Sequence, residues 1–489
     1  MRDIASEGTS QQQSGFPWPS DRLVGTAILI VAVLLQLQIF DRTIVPMDEG
    51  HLAAVAAGLQ DGKLLYRDLH TGIFPGIYHL TALLFSLLGN DLVVARWAEV
   101  GVNAAIALLL WLAGVRIMRR GWALVAPALY LALVPVSFPV LTMFNYSSLS
   151  LVLCMASLYF SIRLLDEGAA SSGIGLGVCL ALAVFCKQNF GALAFLAVVI
   201  ALIWNRRHSA LAERSWGAIL LPIAGAGLSV TFAFVVYFVA TGTLMDFLNA
   251  TVIQLGGDQM QSFNNPIPPL LGSHPLDDSR FIFIYSPPFL FNKMIHGETL
   301  LGMQVNTAMQ SVAIRLSYAV PIVTLCLGPL IWFFDVGNST ERERLGVRVV
   351  VVFASLFFLG IFPSAVWSHL AFVLPPILLL MGLVAARFDD ALRPHSAARS
   401  SALRGAVAAL VAIAAIAGVM ASADISRWHS TSLDLPRGHL RVTPEQAMLY
   451  RSAVAFVDQC AAERGSVCGG GRGHLRGSDH ARRLLPERA

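Results

Sequence analysis

Apolar residues run along this chain in long blocks separated by short polar stretches. The blocks fall near 23–40, 74–89, 93–118, 121–141, 147–165, 172–187, 190–204, 216–240, 312–334, 349–366, 370–386 and 403–423. Their length and purity predict helices that cross a bilayer, since a helix satisfies its own backbone hydrogen bonds inside hydrocarbon. The block 74–89 is an exception. As a helix it reaches about 24 Å at 1.5 Å per residue, short of the roughly 30 Å hydrocarbon core. Pro75 suits its first turn and Gly89 with Asn90 its end, which predicts a helix lying in the interface. Residues 49–60 place Leu52, Val55, Ala56 and Leu59 at helical spacing, a second stripe that can lie on lipid.

Basic residues orient the bundle. With 74–89 out of the membrane, four clusters fall on one side: Arg116, Arg119 and Arg120; Arg206, Arg207 and Arg214; Arg342, Arg344 and Arg348; and Arg387, Arg393, Arg399 and Arg404. Arg2, Arg22 and Arg163 join them, so sixteen of 34 basic residues share that face and eight precede residue 424 on the other. The positive-inside rule makes the richer face cytoplasmic. If 74–89 crossed, the first two clusters would lie outside. The expected fold is therefore all-α, a polytopic membrane protein of about eleven transmembrane helices with two juxtamembrane helices in the first external loop. Residues 1–423 form the membrane domain, with external loops 41–92 and 241–311. Residues 424–489 form a short polar external tail, helical around 444–459 and disordered beyond 460.

Composition agrees. The chain has 489 residues, 56% hydrophobic and 13% charged, about half the roughly 25% charge of soluble domains. Its net charge of +4 is scattered through loops with no basic stripe interleaved with aromatics, so nucleic acid is not an expected partner. Four cysteines sit in apolar runs, while Cys460 and Cys468 lie in the tail and can pair if it faces an oxidising compartment. No Cys/His cluster suggests zinc, and no metal site is expected from spacing. The first apolar run reads as a retained span rather than a cleaved signal.

Ionisable residues next to a bilayer need a reason. Here they collect at one level, the external one: Asp48 and Glu49 after the first span, Arg96 and Glu99 at the start of the second, Lys187 in CKQN, Arg315, and His369 in WSHLAFVLPP. The spans are nearly free of charge, which argues against an ion or proton pathway through the midplane. Acids and bases at one leaflet predict chemistry on a lipid-borne substrate. Bland readings stand beside this one. Asp48 also suits an N-cap, Arg96 with Glu99 an i, i+3 pair, Lys187 a snorkelling lysine and His369 a turn histidine. Tyr66, Asp68 and His70 in YRDLHTGIFPG equally suit a structured turn.

The chain resembles the GT-C superfamily of integral-membrane glycosyltransferases, and within it the protein O-mannosyltransferase and aminoarabinose transferase branch, family 39. The resemblance rests on MDEGHLAAVAAGLQDGKLLYRD, FPGIYHLTALLFSLLGNDLVVARWAEV, FCKQNFGALAF and HLAFVLPP. It covers roughly residues 20–205 well and 350–385 loosely. It implies transfer of a sugar from a polyprenyl-phosphate donor to an acceptor hydroxyl on lipid, glycan or protein, with inversion, at the outer face of a bacterial inner membrane. Asp48 maps to the family's catalytic acid and Lys187 to the lysine that holds the donor phosphate. Glu49 is placed beside Asp48 as a second catalytic carboxylate that orients it, raises its pKa or helps hold a divalent cation. Lys187, Gln188, Arg96, Tyr66, Asp68, His70 and His369 are the candidate substrate and phosphate ligands. One departure stands out: relatives often carry a lysine before the proline of the interfacial helix, where this chain has GIFPG. Arg96, Arg67 or His70 is the expected replacement. The readings from other classes are a lipid-linked saccharide flippase and an inactive membrane scaffold.

Overall fold

The computed structural model describes residues 19–253, 264–300, 302–334, 340–435 and 437–469, the last nine of these by backbone alone. Helices dominate. In chain order they are α1 (Asp21–Gln36), α2 (His51–Gln60), α3 (Gly76–Leu88), α4 (Leu92–Ile117), α5 (Arg120–Val136), α6 (Tyr146–Glu167), α7 (Ala170–Cys186), α8 (Gln188–Asn205) and α9 (Trp216–Ala240). There follow α10 (Ser279–Tyr285), α11 (Pro288–Ile295), α12 (Thr307–Phe333), α13 (Glu341–Phe358), α14 (Trp367–Leu392) and α15 (Ala397–Trp428). A hairpin of β1 (Thr431–Leu435) and β2 (Gly438–Val442) leads into α16 (Pro444–Gly469).

The fold is the expected all-α polytopic membrane protein. Each of the eleven anticipated spans is a helix, and among the described residues eight are long and apolar enough to cross. The other three, α1, α5 and α7, have 16 or 17 residues. At 1.5 Å per residue they reach about 25 Å, which a locally thinned bilayer matches. Buried side chains dominate α14, whose central window is 78% buried, whereas that of α9 is 6% buried. So α13 and α14 form the centre of the bundle, while α9 and α15 show their apolar faces to lipid. Local sequence starts these helices. Asp91 caps α4, Asn145 and Ser148 form a capping box on α6, and Thr340 with Glu343 forms another on α13, each satisfying free N–H groups of a first turn.

Small residues let helices approach closely in lipid. A Cβ on Gly177 of α7 would lie 2.0 Å from the Ile223 carbonyl oxygen of α9. Gly177→Ala is therefore expected to lower stability by about 1–3 kcal/mol through overpacking, read as a fall in the thermal midpoint of the detergent-solubilised protein.

Ion pairs sort the two ends of the bundle. At one end Arg116 pairs with Asp166 and Glu167, Arg120 with Asp21, Arg342 with Asp166, and Arg119, Arg393 and Arg404 all with the buried Asp389. At the other end, Arg67 joins Asp246, linking the 41–92 and 241–311 segments, while Lys293 joins Asp424. In the first of these segments α2 and α3 pack together as the expected juxtamembrane pair, with Gln60 Nε2 donating to the Ala82 carbonyl and Ser86 Oγ.

The tail departs from expectation. The β1–β2 hairpin lies against the chain leaving α1: Arg441 N donates to the Asp41 carbonyl, Thr43 N to the Arg441 carbonyl, and Leu92 N to the Arg437 carbonyl. Leu433, Val442 and Ala447 enclose a small apolar cluster with Ile44 and Tyr450. The helix after it runs to Gly469 rather than ending near 459. Residues 470–489, and the anticipated Cys460–Cys468 pairing, fall outside the described side chains.

Candidate active site

Asp48 and Glu49 are neighbours in sequence and face different surroundings. Beyond α1 the chain passes Thr43, whose φ is 58°, and enters the π-type turn Pro46–Gly50, which runs into α2. Successive residues of a helical turn point in different directions, so one carboxylate enters the bundle and the other leaves it. Glu49 enters. Its Oε1 accepts from Arg96 at 2.6 Å and from Val45 N at 3.0 Å. Arg96 is wholly enclosed and also donates to the carbonyls of Thr142 and Thr43, at 3.0 and 3.2 Å.

This geometry bears on two of the expected roles. Protein surrounds the Arg96 guanidinium and leaves it no exposed surface. Glu49 is clamped by Arg96 and a backbone amide. Arg96 pairs with Glu49 rather than with Glu99, whose Oε2 accepts from Ser148 Oγ at 2.7 Å. Arg67 is likewise engaged, by Asp246 and the Gly242 carbonyl.

Asp48 is exposed, and its carboxylate makes no hydrogen bond or ion pair within the described residues, its backbone N–H donating to the Val45 carbonyl. It caps neither its own turn nor α2. Partial desolvation by the surrounding protein raises its carboxyl pKa above the usual aspartate range, an effect opposed by the nearby His51. Tyr146, the first residue of α6, lies within electrostatic reach of Asp48.

Lys187 meets Tyr146 from the other side. It is a single extended residue (φ −147°, ψ 106°) between α7 and α8, so its side chain leaves the helical axis at the break. Nζ lies 5.5 Å from the centre of the Tyr146 ring and 3.8 Å from that of Phe190, and donates to Ser147 Oγ at 2.9 Å. Among the described residues no carboxylate pairs with it. An ammonium on two aromatic faces, beside the first turn of α6 and at the start of α8, is a positive site open to an anion. Gln188 opens α8 beside it, half-buried. His369, in the first turn of α14, lies within electrostatic reach of Lys187, with Nδ1 2.6 Å from the Ser364 carbonyl. Asn265 Nδ2 donates to Ser364 Oγ at 2.8 Å, which brings the long second loop to the same turn.

Asp48 and Lys187 thus each lie near Tyr146, His369 lies near Lys187, and three candidates sit in a separate turn. Tyr66 is buried, with its hydroxyl on the Ile73 carbonyl at 2.9 Å and its ring against Phe238 and Phe247. Asp68 accepts from Leu64 N at 2.8 Å and holds the turn. His70 is exposed beside them. No described contact ties these three to Asp48 or Lys187, and the bonds that Tyr66 and Asp68 make are local to their own turn. A divalent cation finds no group of three His, Cys, Asp or Glu among the described residues.

Sequence reasoning missed Tyr146, Ser147, His51 and Tyr78. The His51 and Tyr78 rings meet edge-on at 6.1 Å, and the Tyr78 hydroxyl is 2.6 Å from Thr71 Oγ1. One signal was available: NYSS in FNYSSLSL, a capping box opening an apolar run, marks a helix N-terminus at the level of Lys187.

Residues 72–237, a third of the chain, match the family model described as dolichyl-phosphate-mannose-protein mannosyltransferase. The resemblance to GT-C membrane glycosyltransferases is borne out over that segment. No curated protein matches. Among solved structures, the chain is similar to the oligosaccharyltransferase AglB of Archaeoglobus fulgidus in complex with an inhibitory peptide and a dolichol-phosphate, at 11% identity and a TM-score of 0.47. That likeness covers 83% of this chain and 56% of the archaeal one. It is also similar to ArnT of Cupriavidus metallidurans bound to undecaprenyl phosphate, at 14% identity and a TM-score of 0.37, covering 76% of this chain and 78% of that one. The arabinosyltransferase EmbB of Mycobacterium smegmatis matches at 11% identity and a TM-score of 0.34, covering 79% and 43%. The chain thus spans little more than half the length of the archaeal enzyme.

Proposed function

We propose that this chain transfers a sugar from a polyprenyl-phosphate donor to an acceptor hydroxyl, with Asp48 as general base and Lys187 as the principal cation at the donor phosphate. The carrying observation is that Tyr146 lies near both a carboxylate with no protein partner and an ammonium that no carboxylate pairs with, among the described residues. The matched family description names a dolichyl-phosphate-linked sugar, which supports the donor class. The donor already carries its leaving group. The protein has to orient the acceptor, receive its proton at Asp48 as the new glycosidic bond forms, and offset the charge of the departing phosphate. An acceptor attacking opposite the phosphate inverts the anomeric centre.

The arginine-rich end, read by the positive-inside rule, is cytoplasmic, and Asp48 then faces the exterior of what we take to be a bacterial inner membrane. His369 and Gln188 complete the phosphate side. His70 is the remaining candidate for the contact that a lysine before Pro75 makes in relatives.

Opposite charges about 4 Å apart attract by about 4 kcal/mol at an effective dielectric of 20. If half of this is realised only in the transition state, Lys187→Ala slows turnover about 30-fold. Purified wild type and Lys187→Ala are to be compared on a panel of polyprenyl-phosphate sugars. Consumption of a donor by wild type with loss in the variant supports the assignment. Equal turnover in a folded variant removes Lys187 from the site, and translocation of an intact donor without sugar transfer would favour a flippase.

A further inference from the structure

At the arginine-rich end, opposite Asp48 along α1, a groove of about 1700 Å³ opens between α1 and α15 over α5. Its walls are apolar, with Ile28 and Leu35 from α1, Leu131 from α5 and Val411 from α15. Its end is polar and predominantly basic. Six arginines line the groove, against one carboxylate, Glu343. The counter-charges Asp21, Asp389 and Asp390 do not line it, and Asp389 is shared by Arg119, Arg393 and Arg404. A guanidinium offers five N–H donors, more than these pairs use, and Arg119 Nε is buried with no partner. The volume exceeds the roughly 300–1,000 Å³ of pockets for drug-sized ligands, and its shape joins a lipid-facing slot to a cationic end.

We propose that this groove binds one anionic diacyl phospholipid from the leaflet on the arginine side. Its chains lie between α1 and α15 against α5, and its phosphate rests on Arg119, Arg120 and Arg404. Basic pockets between membrane helices hold anionic headgroups through the same combination of charge and apolar wall, and arginine matches phosphate in a bidentate geometry. The lipid would close the lateral gap between α1 and α15, the helices at the two ends of the membrane domain. The site is independent of sugar transfer.

The test uses the full chain in detergent, with phosphatidylglycerol and phosphatidylcholine of matched acyl chains as probes and native mass spectrometry as the readout. Wild type is expected to retain one phosphatidylglycerol in preference to phosphatidylcholine. Arg120→Gln should weaken retention about fivefold, the loss of one guanidinium near a headgroup. Ala415→Trp, which fills the slot from an exposed position on α15 without touching a charge, should abolish it. Arg207→Gln, on the same face and outside the groove, should leave it unchanged, as should excess inorganic phosphate. Equal retention of both lipids, retention surviving Ala415→Trp, an Arg207→Gln effect as large as that of Arg120→Gln, or displacement by inorganic phosphate would each overturn the proposal.

Discussion

Asp48→Asn is expected to lower sugar transfer by about 10²–10⁴-fold, the range a positioned general base supplies, and to leave the fold intact. The Asp48 side chain is exposed and its carboxylate has no hydrogen-bond partner among the described residues. An isosteric change there should therefore move stability by no more than about 0.5 kcal/mol. Turnover on a consumed donor, measured beside the thermal midpoint, separates loss of chemistry from loss of structure. Transfer by a folded Asp48→Asn protein at the wild-type rate would place the base elsewhere.

The pH profile adds an independent check. A general base works ionised, so transfer should fall as pH falls through the Asp48 pKa. Partial desolvation by the surrounding protein raises that pKa above the usual aspartate range and nearby His51 opposes the rise. The acid limb is thus expected above the ordinary value of about 3.9. It should move higher still in His51→Gln, which removes the opposing charge. A limb unmoved by His51→Gln would assign it to another group.

Breaking the Glu49–Arg96 pair is expected to destabilise the protein by about 3–5 kcal/mol, because either single truncation leaves a buried charge without its partner. The pair is 2.6 Å long with both side chains almost fully enclosed. Arg96→Met and Glu49→Leu singly should each lower the thermal midpoint sharply. The double variant removes both charges and should recover much of the loss. Its turnover tells more. If Glu49 acts only through structure, a refolded double variant retains transfer wherever Asp48 keeps its place. If Glu49 takes part in chemistry, the double variant is stable and inactive.

The hairpin at 431–442 gives this region a second support. It bonds to Asp41, Thr43 and Leu92, the chain on either side of the first external segment. Arg96 holds the Thr43 carbonyl from within. The turn carrying Asp48 is therefore held from the core side by an ion pair and from the outside by the tail.

Much of this molecule was legible in its sequence, for a definite reason. Membrane helices satisfy their backbone locally and are recognised by apolar length, so each anticipated span appears as a helix. The juxtamembrane pair α2 and α3 follows from stripe spacing and from a block too short to cross. Lys187 between two apolar blocks announces the break it occupies. The charge clusters foretold which loops share a face. The sequence alone therefore determined the all-α membrane architecture, the grouping of its loops and the level at which chemistry is to be sought.

Only the tertiary structure decided what each charged side chain does there. Asp48 and Glu49 look equivalent in a linear reading, and the change of direction between successive residues of a helical turn sends one into the core and the other out. Arg96 reads as a partner for Glu99 by spacing, yet it meets Glu49 across 47 positions, a contact set by how α4 packs against the chain leaving α1. Tyr146 carries no sequence mark of a site residue beyond the helix start that its capping box announces. It becomes one because the start of α6 and the break between α7 and α8 end at the same place. The tail reads as polar with one short helix and no strands, since its strands bury only one small apolar cluster and gain order from the loop they dock on. Periodicity and composition are local and register where a side chain sits along its own helix. Burial, pairing and reach depend on which distant segment packs opposite, and that is a property of the assembled bundle.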